Sequence, residues 1–307
     1  MKVESKSLSM LNAVFREALI SLHANKLRSF LTMLGIIIGV CAVVIMVAAG
    51  QTVQNMINDS LSGIGSNLLI IRPEYTTSAG VRGSGMTVIK VQDADAIRSN
   101  KYLRAVSPIV NGSGQIVYKN ENYMVQIQAG TPDIMRTGNY EIEEGEPITG
   151  RDVRSGTAVV LIGQTLKTEL FHGADPIGEV VRIRNVPFVV KGLLKAKGQG
   201  IGGQDQDAAV IMPITTYRRR IQGSWIPNRV NYIMAQVDAE QNIEKAKLLI
   251  EAALRETRRI KPSAENDFRI DDMTEMLNTI RDVGRYLSIL LASIASISLV
   301  VGSIGIM

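Results

Sequence analysis

Phe30-Leu-Thr-Met-Leu-Gly-Ile-Ile-Ile-Gly-Val-Cys-Ala-Val-Val-Ile-Met-Val-Ala-Ala49 is 20 residues of almost unbroken aliphatic sequence. At 1.5 Å per residue, a helix of that length spans about 30 Å, the hydrocarbon thickness of a bilayer. It sits inside a charge-free run of 30 residues, Ser29 to Asn58. A second charge-free run, Tyr286 to Met307, covers 22 residues. The 227 residues between them carry 29 Lys/Arg and 27 Asp/Glu. The chain of 307 residues is only 46% hydrophobic overall. Its apolarity is thus concentrated at two places, and a nearly neutral, soluble-looking domain lies between two membrane-length segments. That layout speaks against a cytosolic globular protein.

The charge distribution gives the layout a direction. Residues 1–28 hold five basic side chains against two acidic ones. Lys26 and Arg28 immediately precede the first span, which predicts a cytoplasmic N-terminus and a central domain outside the cytoplasm. The second span then returns inward, although Arg281 and Arg285 fall on its outer side. The net charge of +5 flanks a membrane segment rather than covering a folded face, so nucleic acid is not an expected partner. A cleaved signal peptide ending at Val47-Ala48-Ala49 is the rival reading. A 20-residue core after a 28-residue leader is too long for it.

Within the leader, Leu8, Leu11, Phe15, Ala18, Leu19 and Leu22 recur at helical spacing. This predicts an amphipathic helix on the inner lipid interface, or a packing face against other membrane helices. Gly35 and Gly39, four apart, offer a face for close helix approach. Cys41 is the one cysteine, so no intrachain disulfide is possible. The organisation predicted is 1–28 as cytoplasmic helix, 29–58 as the first span and its extension, 59–285 as the outer domain and 286–307 as the second span.

The outer domain reads as α+β. Asn67–Arg72 is a strand ended by Pro73, and Thr76–Gly85 a Gly/Ser/Thr-rich loop. Val91–Lys101 reads as a helix with Asp93 and Asp95 at its positive end. Ala105–Val110, Gln115–Tyr118 and Tyr123–Gln128 read as three strands. Tyr232–Val237, a helix marked by Ile243, Ala246, Leu249, Ile250, Ala253 and Leu254, and Phe268–Ile270 close the domain. Two β-α-β-like pieces therefore bracket an inserted, mostly-β part at about 131–225. Its strands are Thr157–Ile162, Val180–Arg184, Val186–Leu194 and Ala208–Met212, with a helix at Gln164–Phe171. No proline occurs from Ser263 to Met307, so one helix is predicted from about Met273 through the second span, with Gly284 its weak point.

The motifs do not assemble a catalytic centre. Gly198-Gln-Gly-Ile-Gly-Gly203 matches a dinucleotide fingerprint in letters. The sequence after it reads as a strand, so no helix N-terminus is predicted to hold a pyrophosphate. The sequence contains no G-x-x-x-x-G-K-[ST] loop. His23 and His172 fall in unrelated segments, which leaves no metal set and no nucleophile–base pair. Glu141, Glu143, Glu144 and Glu146 lack calcium-loop spacing and read as a solvated turn. Arg218-Arg219-Arg220 reads as the exposed end of a short helix that could meet an acidic partner or lipid headgroups. Catalytic, cofactor-binding and metal residues are accordingly predicted as none.

Asn25-Lys-Leu-Arg-Ser-Phe-Leu-Thr-Met-Leu-Gly-Ile-Ile-Ile-Gly-Val40 resembles the first membrane segment of MacB-like (FtsX superfamily) ABC transporter permeases. Ile64-Gly-Ser-Asn-Leu68 resembles the entry to their outer domain. Ala174-Asp-Pro-Ile-Gly178 with Val190-Lys-Gly-Leu193 is similar to its centre, and Ile297-Ser-Leu-Val-Val-Gly-Ser-Ile-Gly-Ile-Met307 to the second membrane helix. The resemblance implies a permease of four membrane helices, dimeric, served by ABC ATPase subunits. It also implies a periplasmic adaptor and an outer-membrane channel as partners in many cases, with a drug, peptide or lipoprotein as cargo and ATP-driven motion passed to the outer domain (mechanotransmission). The absence of an ATPase domain before residue 1 and the end at Met307 predict an N-terminal portion of such a permease, with ATP hydrolysis on another chain. A two-helix membrane sensor with an outer ligand-binding domain fits the same layout. So does a permease-like regulator of a cell-wall enzyme.

Overall fold

The computed structural model describes residues 30, 33–35, 37–41, 44–48, 50–52, 67–74, 77–78, 81–82, 88–200, 203–222 and 228–304. The leader helix expected in residues 1–28 and most of the Thr76–Gly85 loop lie outside them. The chain divides into two units: Met1–Met56 with Thr279–Met307, and Ile57–Asn278.

In the first unit, helix α1 covers Met33–Thr52 and is long and apolar enough to cross a membrane. It is the one such helix among the described residues. The built Cβ of Gly35 would meet nothing within 4 Å, so its side of α1 is open among the described residues.

In the second unit, β1 (Leu68–Pro73), β2 (Thr77–Ser78), β3 (Val81–Arg82) and β4 (Ile89–Lys90) lead into α2 (Val91–Ile97). β5 (Leu103–Tyr118) and β6 (Glu121–Gly130) follow, then α3 (Ile134–Thr137), β7 (Ile142–Gly145), α4 (Gly150–Ser155) and β8 (Val159–Ile162). Next come α5 (Gln164–Phe171), β9 (Val180–Ile183), β10 (Val186–Leu194), β11 (Ala209–Pro213) and α6 (Ile214–Tyr217). β12 (Arg229–Val230), β13 (Tyr232–Val237), α7 (Ile243–Thr257) and β14 (Phe268–Asp272) follow, and α8 (Met273–Ile304) begins in this unit, with its residues from Thr279 counted in the first.

The strand order β14-β1-β13-β5, every pair antiparallel, is that of a split β-α-β fold. β1-α2-β5 and β13-α7-β14 are its two halves. β13 alternates half-buried and buried from Tyr232 to Val237, the signature of a sheet with one face against helices. Ala94 and Ile97 of α2 and Ala246, Ile250 and Leu254 of α7 fill that face against Leu69, Ile71, Ile233 and Ala235. Their spacing on α7 is the four-residue helical repeat the sequence displayed. Leu249, counted in that repeat, is instead exposed.

β5 continues past this sheet. Up to Ile109 it pairs β13, and from Val110 it pairs β6. The order β5-β6-β11-β8-β10-β9 then returns to β5, so six strands close on themselves, with β7 beside β10 at an edge. Closure removes the open edges a flat sheet would expose. Ile116, Ile127, Val160, Val181, Phe188 and Val210 are almost wholly buried within the main core. A second cluster of Ile109, Ile134, Ile148, Leu161, Leu194 and Ile211 draws on both the split β-α-β sheet and the closed strands.

Two expectations change here. The strands expected at Ala105–Val110 and Gln115–Tyr118 are one 16-residue strand. Asn111-Gly-Ser-Gly114 looked like a break, but a glycine in a strand also marks a close approach. A Cβ on Gly112 would collide with the Tyr217 hydroxyl, and one on Gly114 would press on Arg184. The acidic stretch expected as a solvated turn contains the edge strand β7. Its glutamates face cations: Glu141 meets Lys195 at 2.9 Å, Glu144 meets Lys167 at 3.3 Å and Glu146 meets Lys191 at 3.5 Å. A short strand lined with charge is a usual way to blunt a sheet edge.

Candidate coupling site at the base of the outer domain

The Gly-rich segment after β10 turns back at Gly198 and Gly203, both at positive φ. The Asp207 carboxylate accepts the N–H groups of Lys197 at 2.7 Å and Gly198 at 2.9 Å, and β11 follows. The strand β11 occupies the place where a dinucleotide site needs a helix. His172 caps α5 in the left-handed region at φ 52° and lies 3.7 Å from Glu121. Its side chain is 73% exposed, the position of a turn residue.

Beside that loop, the Lys197 ammonium donates to the Gly138 carbonyl and sits 3.8 Å over the Tyr140 ring. Burial brings it down to about 8, with Asp207 opposing the shift. Burial also raises the Tyr140 hydroxyl, helped by Tyr232. In the unfolded chain a lysine titrates near 10.4. Between pH 8 and about 10 the unfolded chain therefore binds more protons, and stability rises with pH; above that the buried tyrosines reverse the slope. The rise from Lys197 amounts to roughly 2–3 kcal/mol. Urea unfolding of residues 57–278 across that window should show it, and Lys197→Met should flatten it. An equal slope in the variant would remove Lys197 as its source.

A set of capping and ion-pair contacts gathers at the starts of β1 and α8. Leu68 opposes Gln236, and Leu69 opposes Asp272. The start of β1 and the end of β14 are thus neighbours at one end of the sheet. Asn67, just before β1, adopts φ 80°, and its carbonyl accepts the Val237 N–H at 2.9 Å. Its N–H donates to the Thr274 hydroxyl at 3.5 Å.

Asp272 ends β14 and caps α8. Its Oδ1 accepts the N–H groups of Thr274 at 2.9 Å and Glu275 at 3.4 Å, satisfying donors that a helix start leaves without partners. Its other oxygen lies 3.2 Å from Lys247 Nζ on α7, which also holds Glu244 at 2.9 Å and Glu275 at 3.7 Å. Burial would lower Lys247, but the bonds to Glu244 and Asp272 outweigh it and hold it above the ordinary lysine value. Leu277, one turn into α8, is 1% exposed. The first turn of α8 is therefore capped, charge-paired and packed into the domain.

The sequence reading singled out none of Asn67, Lys247, Asp272 or Thr274. A signal was present in Asp272-Met-Thr-Glu275, the D-x-x-E pattern of a helix start before an apolar run.

A model described as the MacB-like periplasmic core domain matches residues 29–253. The macrolide export ATP-binding/permease protein MacB of Bdellovibrio bacteriovorus is 36% identical over 94% of this chain and 44% of its own length. That of Syntrophobacter fumaroxidans is 32% identical over 94% of the chain and 48% of its own length. The pyoverdine export ATP-binding/permease protein PvdT of Pseudomonas aeruginosa is 31% identical over 92% and 41%. The chain thus spans less than half the length of these relatives.

The crystal structure of the periplasmic region of MacB from Actinobacillus actinomycetemcomitans superposes with a TM-score of 0.57, covering 73% of this chain and 97% of that one at 22% identity. The extracellular domain of the noncanonic ABC-type transporter YknZ from Gram-positive bacteria gives 0.55, covering 67% and 100% at 15% identity. These two likenesses show the fold alone. None of these matches favours a sensor. A family model over residues 29–253 and relatives above 30% identity over more than nine-tenths of the chain agree with an apolar helix ahead of a split β-α-β domain: the chain belongs to the MacB-like family of ABC transporter permeases.

Proposed function

We propose that this chain is the permease portion of an ABC-type exporter. ATP hydrolysis on an ABC ATPase partner moves the membrane helices. α8 carries that motion into the outer domain, and a drug, peptide or lipoprotein is driven out. The observation that carries the coupling step is α8 itself, 32 residues without a break from Met273 to Ile304, whose first turn is built into the domain by Asp272, Lys247 and Leu277. Ser288, Ser293 and Ser296 donate to carbonyls four residues back at 2.8–2.9 Å, which satisfies their hydroxyls within an apolar segment.

The reading includes two membrane spans, at 29–58 and 286–307, a dimer with a second permease copy, and a bacterial inner-membrane location with residues 59–285 in the periplasm. A periplasmic adaptor and an outer-membrane channel complete the path, and residues 1–28 lie on the inner lipid surface. The outer domain is two-part. The switch of β5 from β13 to β6 at Val110 supports an insertion, and carries its start back from about 131 onto β5.

Inverted vesicles holding the full-length protein and its ATPase test the reading. ATP should drive uptake of at least one compound from a panel of macrolides, lipopeptides and siderophores, and a phosphate-loop variant of the ATPase should stop it. Uptake indifferent to ATP would overturn it. For topology, a cysteine at Ser155 on a Cys41→Ser background should react with an impermeant maleimide added from outside. Reaction from the cytoplasmic side alone would invert the arrangement.

A further inference from the structure

Arg218-Arg219-Arg220 is not used by the coupling site, and the tertiary structure gives it neighbours the sequence did not reveal. The segment after α6 forms one π-helical turn, Arg218–Gln222. It is held against α4: the Thr215 hydroxyl donates to the Val153 carbonyl at 2.5 Å and the Thr216 hydroxyl to the Thr157 carbonyl at 2.8 Å. A Cβ on Gly156, the left-handed cap of α4, would lie 3.0 Å from the Arg219 guanidinium. Arg219 therefore rests on the end of α4, whose outward face carries Arg151 and Arg154 one turn apart.

Arg151, Arg154, Arg219 and Arg220 are all exposed, and none of the four forms an ion pair among the described residues. The acids nearest in sequence are already engaged: Asp152 is buried against Lys191 at 2.8 Å and Glu146 faces the same lysine. The undescribed segment 223–227 contains no acid. The Arg154 guanidinium lies over Gly150 at the start of α4 and that of Arg219 over Gly156 at its end, so like charges without an ion-pair partner line this face and cost the fold stability, as a binding surface does until its partner arrives.

We propose that this α4/α6 face docks an acidic surface of a partner protein outside the cytoplasm. The cluster is all arginine. A guanidinium is weakly hydrated, takes carboxylates two-pronged and is enriched at protein interfaces, whereas lysine is depleted there. The guanidinia are spread over two helices and exposed, which suits a broad protein surface better than a small anion that needs enclosure. The side chain of Tyr217, just before the arginines, lies on Gly112. Gly112 is nine residues along β5 from Leu103, whose partner Val237 donates to Asn67. At about 3.4 Å per strand residue, Gly112 lies up to about 30 Å along β5 from the end where both chain connections leave. The surface does not depend on the exporter reading, because its test reads binding rather than export.

The test uses the full-length chain in amphipol and a fluorescein-labelled peptide of alternating Glu and Ser, read by anisotropy. Binding at low salt, weakened by salt, is expected. Arg151→Gln with Arg154→Gln, Arg219→Gln and Arg220→Gln should weaken it about tenfold or more. The four Lys replacements should retain most of it, and unchanged circular dichroism should show that both variants fold. Failure of the peptide to bind the native chain, or equal binding by the Gln variant, overturns the proposal. Inorganic phosphate or phosphatidylglycerol nanodiscs displacing the peptide at lower concentration than free peptide does would assign the face to a phosphate-bearing ligand and overturn it equally.

Discussion

Inserting two or three glycines after Asp282 is expected to abolish export while leaving the outer domain folded and ATP binding by the partner intact. α8 passes through this position without a break, and Gly284 already lies inside it. Each added glycine costs roughly 1 kcal/mol in a helix interior, and together they make a joint. A joint absorbs displacement that a rod transmits, so the motion of the membrane helices would no longer reach Asp272 and Lys247. Insertion also turns the helix face by about 100° per residue, and a second variant separates the two effects. Seven alanines at the same point keep the rod stiff and return its face to within about 20°. That variant should keep much of the export. Normal export by the glycine variant would remove α8 from the mechanism. Loss in both variants would mean that helix length, rather than stiffness, is what matters.

The largest stability effect should come from Arg258. Its guanidinium donates to Asp93 at 2.8 Å, to both oxygens of Asp267 at 2.6 and 2.8 Å, and to the Val88 carbonyl at 3.2 Å. Asp93 also accepts the Lys90 N–H at 2.8 Å, capping α2. Burial works against the charge, but the two carboxylates raise Arg258 above the usual arginine value. The side chains of Arg258 and Asp93 are 12% and 6% exposed, so solvent screens them little. Arg258→Ala takes the shared cation from Asp93, which is buried, and from Asp267, which is 26% exposed. The expected loss is about 3–5 kcal/mol, or a fall in Tm on the order of 10 °C for a domain of this size. Adding Asp93→Asn and Asp267→Asn to an Arg258→Met background should recover much of it, because a neutral buried trio lacks the desolvation cost. Thermal unfolding of residues 57–278 followed by circular dichroism measures both. A drop below 1 kcal/mol in the single variant would show that water reaches the cluster.

How much of this was legible beforehand follows from the range of the forces. The first span and the helices and strands at Gln164–Phe171, Val186–Leu194 and Tyr232–Val237 were readable. Each is decided by periodicity and end signals within one segment. The family was readable as well, since its motifs are contiguous. The helix from Met273 followed from an apolar repeat without proline, a local property again. β5 was not readable as one strand. Asn111-Gly-Ser-Gly114 stays extended because it pairs with Val125–Gln128 of β6, and its glycine at 112 is required by Tyr217, a contact across more than a hundred positions. The acidic stretch was misread for the same reason: β7 is a strand because it pairs with β10, and the lysines facing Glu141, Glu144 and Glu146 lie at positions 195, 167 and 191.

The contacts at the start of α8 and the arginine face show the same division. Asp272 and Thr274 had a local capping signature. Lys247 became their partner only when α7 packed beside the start of α8. Arg218-Arg219-Arg220 was visible as a charged run, but its extension by Arg151 and Arg154 needed two hydroxyl–carbonyl bonds between α4 and α6. By itself the sequence determined which segments are apolar, most of the helices and strands, and the family. Tertiary structure alone decided the closed six-stranded part, the clamp on Arg258 and which charges meet. Backbone propensity and hydrophobic period act over a few residues, whereas ion pairs, close glycine contacts and sheet closure join residues that only the folded chain brings within a few ångströms.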